Sequence, residues 1–398
     1  MSAPAFRAWP FFDTRHRDLA AEIADWTRDE IAPREGVEPR GSDLNAHCVA
    51  LVRTLGRDGW LRHAVPAAFG GMTDTIDARS LCIIRETLAA SSGIADFVFA
   101  LQGLGAGPIS LFGSDTLRRR YLPRVASGEA IPAFAISEAD AGSDVGAMRT
   151  TARRDGDWFI LDGAKTWISN APIADFYVVF CRLPEDGERA YLALVLDAGT
   201  PGVGIGSCGE IMAPHSIGTL ILDSCRVHSS ATVGAPGRGM SVALGTLDVF
   251  RPTVGAAALG IARRSLAEAL LQSTQRSVFG APLADMQLTQ AKLAAMATDI
   301  DASALLVYRA AWMHDTGCGR TTKEAAMAKW FATEAAQRAV DAALQLHGGA
   351  GVVAGSVMER LYREVRALRV YEGTSEIQQI VIAGQLLAER RQSRAETE

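Results

Sequence analysis

In the stretch RVYEGTSEIQ, residues 369–378, a single carboxylate, Glu372, stands behind a tyrosine and in front of a glycine. Apolar and aromatic surroundings raise a carboxylate's pKa and strengthen it as a base, and a general base must lie within about 3 Å of the proton it takes. Glu372 with Tyr371 beside it has the makings of such a base, and Gly373 frees the backbone to turn there. A plainer reading is open at this point. Ser375 and Gln378 have capping-box spacing for a last helix, which would make Glu372 an anion near a helix N-terminus.

Three further segments carry residues of the right types. In AFAISEADAGSDVGAM, residues 133–148, an apolar strand runs into a polar turn with Glu138, Asp140, Gly142, Ser143 and Asp144. Such a loop serves turn geometry alone, or it presents backbone N–H groups and Ser143 to an anionic or heteroaromatic ligand. In GAKTWISNAPIADFYVVF, residues 163–180, Trp167 and Ser169 are two apart and so share one face of a strand. Tryptophan is most often core, but a flat aromatic beside a hydroxyl also suits a planar ring system with a polar nitrogen at its edge. In HGGAGV, residues 347–352, the glycines follow a helical pattern and can act as its C-cap.

The elements that hold these segments follow from periodicity. From residue 14 to about 128 the pattern is helical: Leu19, Ile23, Trp26 and Ile31 fall at helical steps before Pro33, and LNAHCVALVRTLG, IDARSLCIIRETLAASSG, IADFVFALQGLG and DTLRRRYLPRVASG follow. The texture then changes to short runs rich in β-branched and aromatic residues, DWFILDG, DFYVVFCR, AYLALVLD and TLILDSCRV. Asp155-Gly156 predicts a type I′ hairpin turn. Past GAPGRGM the helical texture returns in pieces at 240–273, 284–315, 320–347, 354–367 and 374–391, Ala-rich enough for close bundle packing. The expected class is α+β, with a helical domain at 1–129, an antiparallel β domain at 130–232 and a four-helix-bundle domain at 233–398.

Composition narrows the function. A chain of 398 residues, 48% apolar and 21% charged, can bury a large core, and a formal charge of −5 without blocks of like charge offers no field for a phosphate backbone, so no nucleic acid partner is expected. The six cysteines are scattered, with no CxxC pair and no histidines at metal-ligand spacing, as for reduced structural thiols and no metal site. No secretory signal is visible at the start and no segment reads as a membrane span, so the expectation is a cytoplasmic protein.

Taken in order, SEADAGSD, KTWISNA, RSVFG with Gln287, QLHGGAG and YEGTSEIQ resemble the acyl-CoA dehydrogenase family of flavoproteins along almost the entire chain. The order of helices, sheet and helices is that family's as well. The resemblance implies FAD as cofactor and oxidation of an acyl-CoA thioester to its trans-2-enoyl form, with Glu372 removing the α-proton and flavin N5 taking the β-hydride. It also implies that the backbone N–H of Glu372 helps to stabilise the thioester enolate. Phe134, Ile136, Ser137 and Ser143 would line the flavin and its pyrophosphate. Trp167 and Ser169 would cover the isoalloxazine, with the Ser169 hydroxyl near N5. Arg276, Phe279, Gln287, Gln345, His347, Gly348 and Gly349 would clasp a neighbouring chain's FAD, and Thr374 and Glu376 would hold the dinucleotide near the base. Asp248 and Arg251 match positions that contact the CoA arm or brace the site, and Ser143, Tyr371 and Gly373 complete the substrate contacts. Some relatives carry their base in the helix of Asp248, but Phe250 precedes Arg251 here, which leaves Glu372 as the candidate. A homo-oligomer, a dimer or dimer of dimers, and an electron-transfer flavoprotein as acceptor are implied too.

The chain departs from the family pattern in places. Ser-Glu-Ala replaces Thr-Glu-Pro in the flavin loop and Trp-Ile-Ser replaces Trp-Ile-Thr, each keeping a hydroxyl. In EIMAPHSIGTLILD, residues 210–223, Glu210 and Ala213-Pro214-His215 stand where many relatives have a basic residue and a Gly-Arg-Ser type sequence. The NAPIAD run resembles the glutaryl-CoA branch, though no arginine for a substrate carboxylate is evident in the acyl pocket. Phe97 or Phe99 would shorten that pocket, or both are core. Two other readings keep the fold: a flavin-binding scaffold without turnover, against which the intact Glu372-Gly373-Thr374 argues, and an oxidase passing electrons to oxygen.

Overall fold

The computed structural model describes residues 5–36, 39–187 and 189–395. Five helices come first: α1 Thr14–Trp26, α2 Gly41–Arg57, α3 Ala78–Ser91, α4 Gly93–Phe112 and α5 Asp115–Ala126. Seven strands follow: β1 Pro132–Ala135, β2 Thr151–Asp155, β3 Trp158–Ser169, β4 Phe176–Arg182, β5 Tyr191–Asp197, β6 Val203–Gly206 and β7 Ile217–His228. Then come α6 Gly239–Gln275, a small hairpin of β8 Ser277–Val278 and β9 Ala281–Pro282, and α7 Gln287–Asp315, α8 Thr322–His347, α9 Val357–Leu368 and α10 Ser375–Ala395. A helical N-terminal domain, a middle β domain and a helical C-terminal domain therefore succeed one another as expected.

By compactness the chain forms two units, one of Met1–Val37, Asp77–Asp96 and Asp248–Glu398, the other of Glu38–Ile76 and Phe97–Leu247. In the first, helices pack pairwise: α1 on α3, α3 on α7, and α8 against α7, α9 and α10. The alanines predicted to allow close packing do so on α8, where Ala325, Ala328, Ala332, Ala335, Ala336, Ala339 and Ala343 are all buried. On α6, a Cβ added at Gly260 would lie 2.0 Å from the Glu86 carbonyl oxygen, so only glycine permits that approach.

The second unit is built on the sheet, in the order β1-β4-β2-β3-β7-β6 with β5 on β4. Most pairs are antiparallel as expected, but β1 joins β4 in parallel, Pro132 to Phe176 through Ala135 to Val179. The sheet is thus mixed. On β4 and β5 the side chains alternate between two cores, Phe176, Val178, Phe180, Ala193 and Val195 in one and Tyr177, Val179, Cys181, Leu192, Leu194 and Leu196 in the other. Burial on both faces explains their continuous apolar sequence.

Two expectations are corrected. In the β2–β3 hairpin Asp155 pairs with Trp158, so the loop is Gly156-Asp157, and only Gly156 has positive φ, +59°, the pattern of a type II′ rather than a type I′ turn. Second, α4 and α6 are long and apolar enough to cross a membrane, contrary to the reading that no segment is. Their apolar windows are 83% and 78% buried, as in core helices.

Candidate active site

Glu372 sits in the turn between α9 and α10. Its φ is +54°, a left-handed conformation that costs a non-glycine residue about 1–3 kcal/mol, and Gly373 follows at +90°. Three side chains from other elements hold this turn by its carbonyls. Arg251 Nε donates to the Glu372 oxygen at 3.2 Å. Gln378 Nε2 donates to the same oxygen at 3.1 Å and to that of Gly373 at 3.0 Å. Lys329 Nζ donates to the Gly373 oxygen at 2.7 Å. Below the turn, Ser375 Oγ and Arg369 Nε both donate to Glu334, at 2.5 and 2.8 Å. The expected Ser375–Gln378 capping box does not form: Thr374 Oγ1 caps α10 by accepting from Ile377 N–H at 3.4 Å, which frees Gln378 to reach back to the turn.

This clamp leaves two groups of Glu372 unused. Among the described residues its backbone N–H finds no acceptor, and its Oε2 is sequestered without a hydrogen-bond partner. Burial pushes the carboxyl above its usual range, against the pull of Arg85, Arg251 and Lys329, and Asp96 adds to the upward push. Arg85 is itself anchored, Nε and Nη2 to Asp96 at 2.8 Å each and Nη1 to Thr253 at 3.0 Å, and it hydrogen-bonds Tyr371 as well. Burial brings Lys329 down to about 8 and lowers Arg251. Asp248 stands one step further out, accepting from Arg251 Nη1 at 3.5 Å and from Thr322 Oγ1 at 2.5 Å. A basic carboxylate thus stands among three cations, beside an unpaired N–H. That set suits proton abstraction next to a carbonyl whose developing charge needs a donor.

Sequence reasoning found Glu372, Tyr371, Gly373, Asp248 and Arg251, which the fold gathers around one turn. It missed Arg85, Lys329 and Gln378. A signal was present for two of them: Arg85 interrupts SLCIIRETLA, and Lys329 lies at a step of α8 occupied otherwise by buried alanine.

In the sheet unit, β1 leads into the loop of residues 136–150. Lys165, wholly buried on β3, donates to the Ile136 carbonyl at 3.0 Å and to Glu138 Oε1 at 2.8 Å. Glu138 also accepts from the N–H groups of Arg149 and Thr150, at 2.6 and 3.0 Å. Burial works against its charge, yet these donors outweigh it and hold the carboxyl below its usual range. Glu138 is therefore the loop's brace. Ser137 is tied to β3 by the Thr166 N–H, 3.0 Å from its carbonyl. Next along, the register of β3 slips between Lys165 and Ile168, and there Trp167 takes a φ of +55° and stays half exposed. Ser169 Oγ lies 3.3 Å from His215 Nε2. Phe134 stacks obliquely on Phe180 and Ile136 is buried in the core, whereas Ser143 is exposed. Of the two phenylalanines proposed to shorten the acyl pocket, Phe99 is core and Phe97 lies against His215.

A third set surrounds the end of α8. Arg276 Nη1 donates to the His347 carbonyl at 3.3 Å and passes beside Gly348, whose φ is +59°. Phe279 heads the β8–β9 hairpin at a φ of +51° with its ring fully exposed. Gln287, Gln345 and Gly349 are exposed, and Glu376 is exposed on the first turn of α10, its carboxylate held low by its own N–H and by Thr374.

Each unit by itself carries groups suited to part of a flat heteroaromatic ligand with phosphates. The sheet unit has an exposed aromatic face at Trp167, hydroxyls at Ser137, Ser143 and Ser169 and open backbone at Gly142; the helical unit has an exposed ring at Phe279, a guanidinium at Arg276 and open backbone at Gly349; an added Cβ at either glycine would meet nothing within 4 Å.

Comparison with known proteins agrees along the chain. The N-terminal, middle and C-terminal domains of acyl-CoA dehydrogenase match residues 13–129, 133–225 and 237–387. A 3-(aryl)acrylate reductase of Clostridium sporogenes is 38% identical over 383 residues, covering 95% of this chain and 100% of that protein. The caffeyl-CoA reductase-Etf complex subunit CarC of Acetobacterium woodii is 36% identical, covering 85% of this chain and 89% of its own. The crystal structure of an acyl-CoA dehydrogenase complexed with FAD from Bacillus anthracis superposes with a TM-score of 0.86 at 30% identity, covering 96% of this chain and 68% of that one. The chain belongs to the acyl-CoA dehydrogenase family and is an oxidoreductase.

Proposed function

We propose that the protein catalyses the α,β-dehydrogenation of an acyl-CoA thioester, with FAD as its cofactor. The observation that carries this reading is Glu372: a strained, clamped base with a free oxygen, a raised pKa and an unpaired N–H beside it. Its carboxylate takes the α-proton. Its N–H donates to the thioester oxygen as enolate character develops, and Arg251, Lys329 and Gln378 keep the turn from relaxing while this happens. Bound FAD supplies a two-electron acceptor for the hydrogen on Cβ. Trp167 and Ser169 pack against its ring system, and Arg276, with the end of α8, meets the diphosphate. That contact is made to a second subunit's cofactor in a homo-oligomer, a reading that the full exposure of Phe279 in the single chain supports. The electrons then leave to an electron-transfer flavoprotein.

The same residues run the reverse reaction, and two relatives named as reductases favour it as a second reading. In that direction protonated Glu372 returns a proton to Cα.

The test is anaerobic mixing of the yellow holoprotein with butyryl-, isovaleryl-, octanoyl-, cyclohexanecarbonyl- and glutaryl-CoA while the flavin band is followed. One of these bleaches the wild type, and Glu372→Gln lowers that rate by roughly 10²–10⁴ or more while still binding FAD. Bleaching by Glu372→Gln at the wild-type rate would remove the base from the mechanism. Bleaching only by dithionite, followed by recolouring with an arylacryloyl-CoA, would favour the reductase direction.

A further inference from the structure

His215 belongs to the segment that departs from the family pattern, and its surroundings give it a definite chemical state. The residue is 8% exposed. The Phe97 ring lies 3.7 Å away at 30°, fixing the plane of the imidazole. In that plane Nδ1 faces the Ala213 carbonyl oxygen at 3.3 Å, and Nε2 faces Ser169 Oγ at 3.3 Å. A carbonyl oxygen only accepts, so Nδ1 carries the proton. In a neutral ring Nε2 is then a lone pair, and the Ser169 hydroxyl must donate to it. Neutrality is secure, because burial holds the imidazole down to about 4.

We propose that His215 is a positioning residue that turns the Ser169 hydroxyl into a hydrogen-bond acceptor toward the bound cofactor. This rests on the reading that Ser169 Oγ lies beside flavin N5. Oxidised N5 is an acceptor and reduced N5 carries a hydrogen and donates. A serine whose own proton is committed to His215 meets the reduced ring with a lone pair and offers the oxidised ring nothing. His215 therefore favours the reduced cofactor, raises its midpoint potential and tilts the equilibrium toward the enoyl product. A serine without such a neighbour rotates freely and donates to the oxidised ring instead.

The experiment is spectroelectrochemical titration of the holoenzyme's flavin in four proteins: wild type, His215→Phe, Ser169→Ala and the double variant. His215→Phe should lower the midpoint potential. A tenfold change in the reduced-to-oxidised ratio corresponds to about 30 mV for a two-electron couple. In the Ser169→Ala background the same substitution should have no further effect, since His215 acts through that hydroxyl. His215→Gln, whose amide oxygen can accept from Ser169, should restore the wild-type value. An equal shift in both backgrounds, or none in either, overturns the proposal. If Ser169→Ala alone leaves both the flavin spectrum and the potential unchanged, the placement of Ser169 beside N5 is wrong and the proposal falls with it. Independently of any folding defect, ¹⁵N-histidine spectra of the wild-type holoenzyme, with His215 assigned by its loss in His215→Gln, should show the Nδ1–H tautomer. An Nε2–H tautomer would refute the inference directly.

Discussion

Lys329 tests whether the charge around Glu372 serves the fold or the site. The side chain is wholly buried on α8, and bringing an ordinary lysine pKa of 10.5 down to about 8 costs about 3 kcal/mol at neutral pH, at 1.36 kcal/mol per pH unit. Against this stands one hydrogen bond from a charged donor to the Gly373 oxygen, worth about 1.5–3 kcal/mol, and Gln378 Nε2 still serves that oxygen when the lysine is gone. Lys329→Met should therefore leave stability at pH 7 unchanged or raise it by up to about 1.5 kcal/mol. The pH dependence is more telling. Lysine's folded pKa is depressed, so between about 8 and 10.5 the unfolded chain holds a proton that the folded one does not, and stability rises with pH across that window. The difference between wild type and Lys329→Met should accordingly shift in favour of the wild type by about 3 kcal/mol from pH 7.5 to pH 10.5. Comparing two proteins that differ at one residue cancels the other titrations. The assay is thermal or denaturant unfolding of both proteins at fixed protein and FAD concentration, because anything bound to the folded state adds to its apparent stability. Flavin reduction by acyl-CoA, measured alongside, should slow in the variant as the turn loosens. A stability difference independent of pH would refute the burial argument.

Other consequences follow from single contacts. A Cβ at Gly373 would lie 2.6 Å from Gln378 Nε2 at a φ of +90°, so Gly373→Ala should break the clamp, lower the melting temperature and slow flavin reduction. An unchanged rate would show that the turn tolerates movement. Glu138→Gln leaves the Lys165 ammonium buried without its counter-ion, which should cost about 3–5 kcal/mol and loosen FAD through the loop; a melting temperature equal to wild type would refute the bracing role. Arg276→Ala should speed FAD loss on dilution while leaving apoprotein unfolding unchanged, and a variant that stays fully yellow would remove Arg276 from the diphosphate contact.

Much of this architecture was legible because it is periodic. The strand run DFYVVFC betrays burial on both faces, and the alanine spacing of α8 betrays close packing. The hairpin at Gly156 went wrong by one residue because Asp155 and Gly156 satisfy turn chemistry in either register, and pairing with β3 decides between them. The parallel β1–β4 pairing was invisible since local texture does not encode strand direction. In the site, the motif residues were found, but the groups that hold them were not. Arg85, Lys329 and Gln378 act on a turn that lies far from the first two in sequence, and Gln378 looked like half of a capping box until Thr374 took the cap.

Backbone strain gives a second route to the same residues. Among the described residues, five other than glycine have positive φ: Trp167, Asn170, Ser224, Phe279 and Glu372. Asn170 and Ser224 have local reasons. Asn170 Nδ2 bonds the Pro132 carbonyl at 3.2 Å, and the Ser224 N–H is taken by Asp162 at 2.8 Å next to an irregularity of β7. The other three are large side chains for which the left-handed region is unfavourable, and the two rings gain no burial by it, since Trp167 is half exposed and Phe279 fully so. Each costs about 1–3 kcal/mol that a glycine would spare. A fold selected only for stability would carry glycine there, as it does at Gly280 and Gly373 one position on. The strain is held locally by the hairpin, the β3 slip and the α9–α10 clamp, and it leaves the Trp167 and Phe279 rings exposed. Three separate elements bear the same signature, at the residues that motif reading had assigned to flavin and acyl substrate. That agreement supports the roles proposed for Trp167 and Phe279 toward the flavin and for Glu372 toward the acyl substrate.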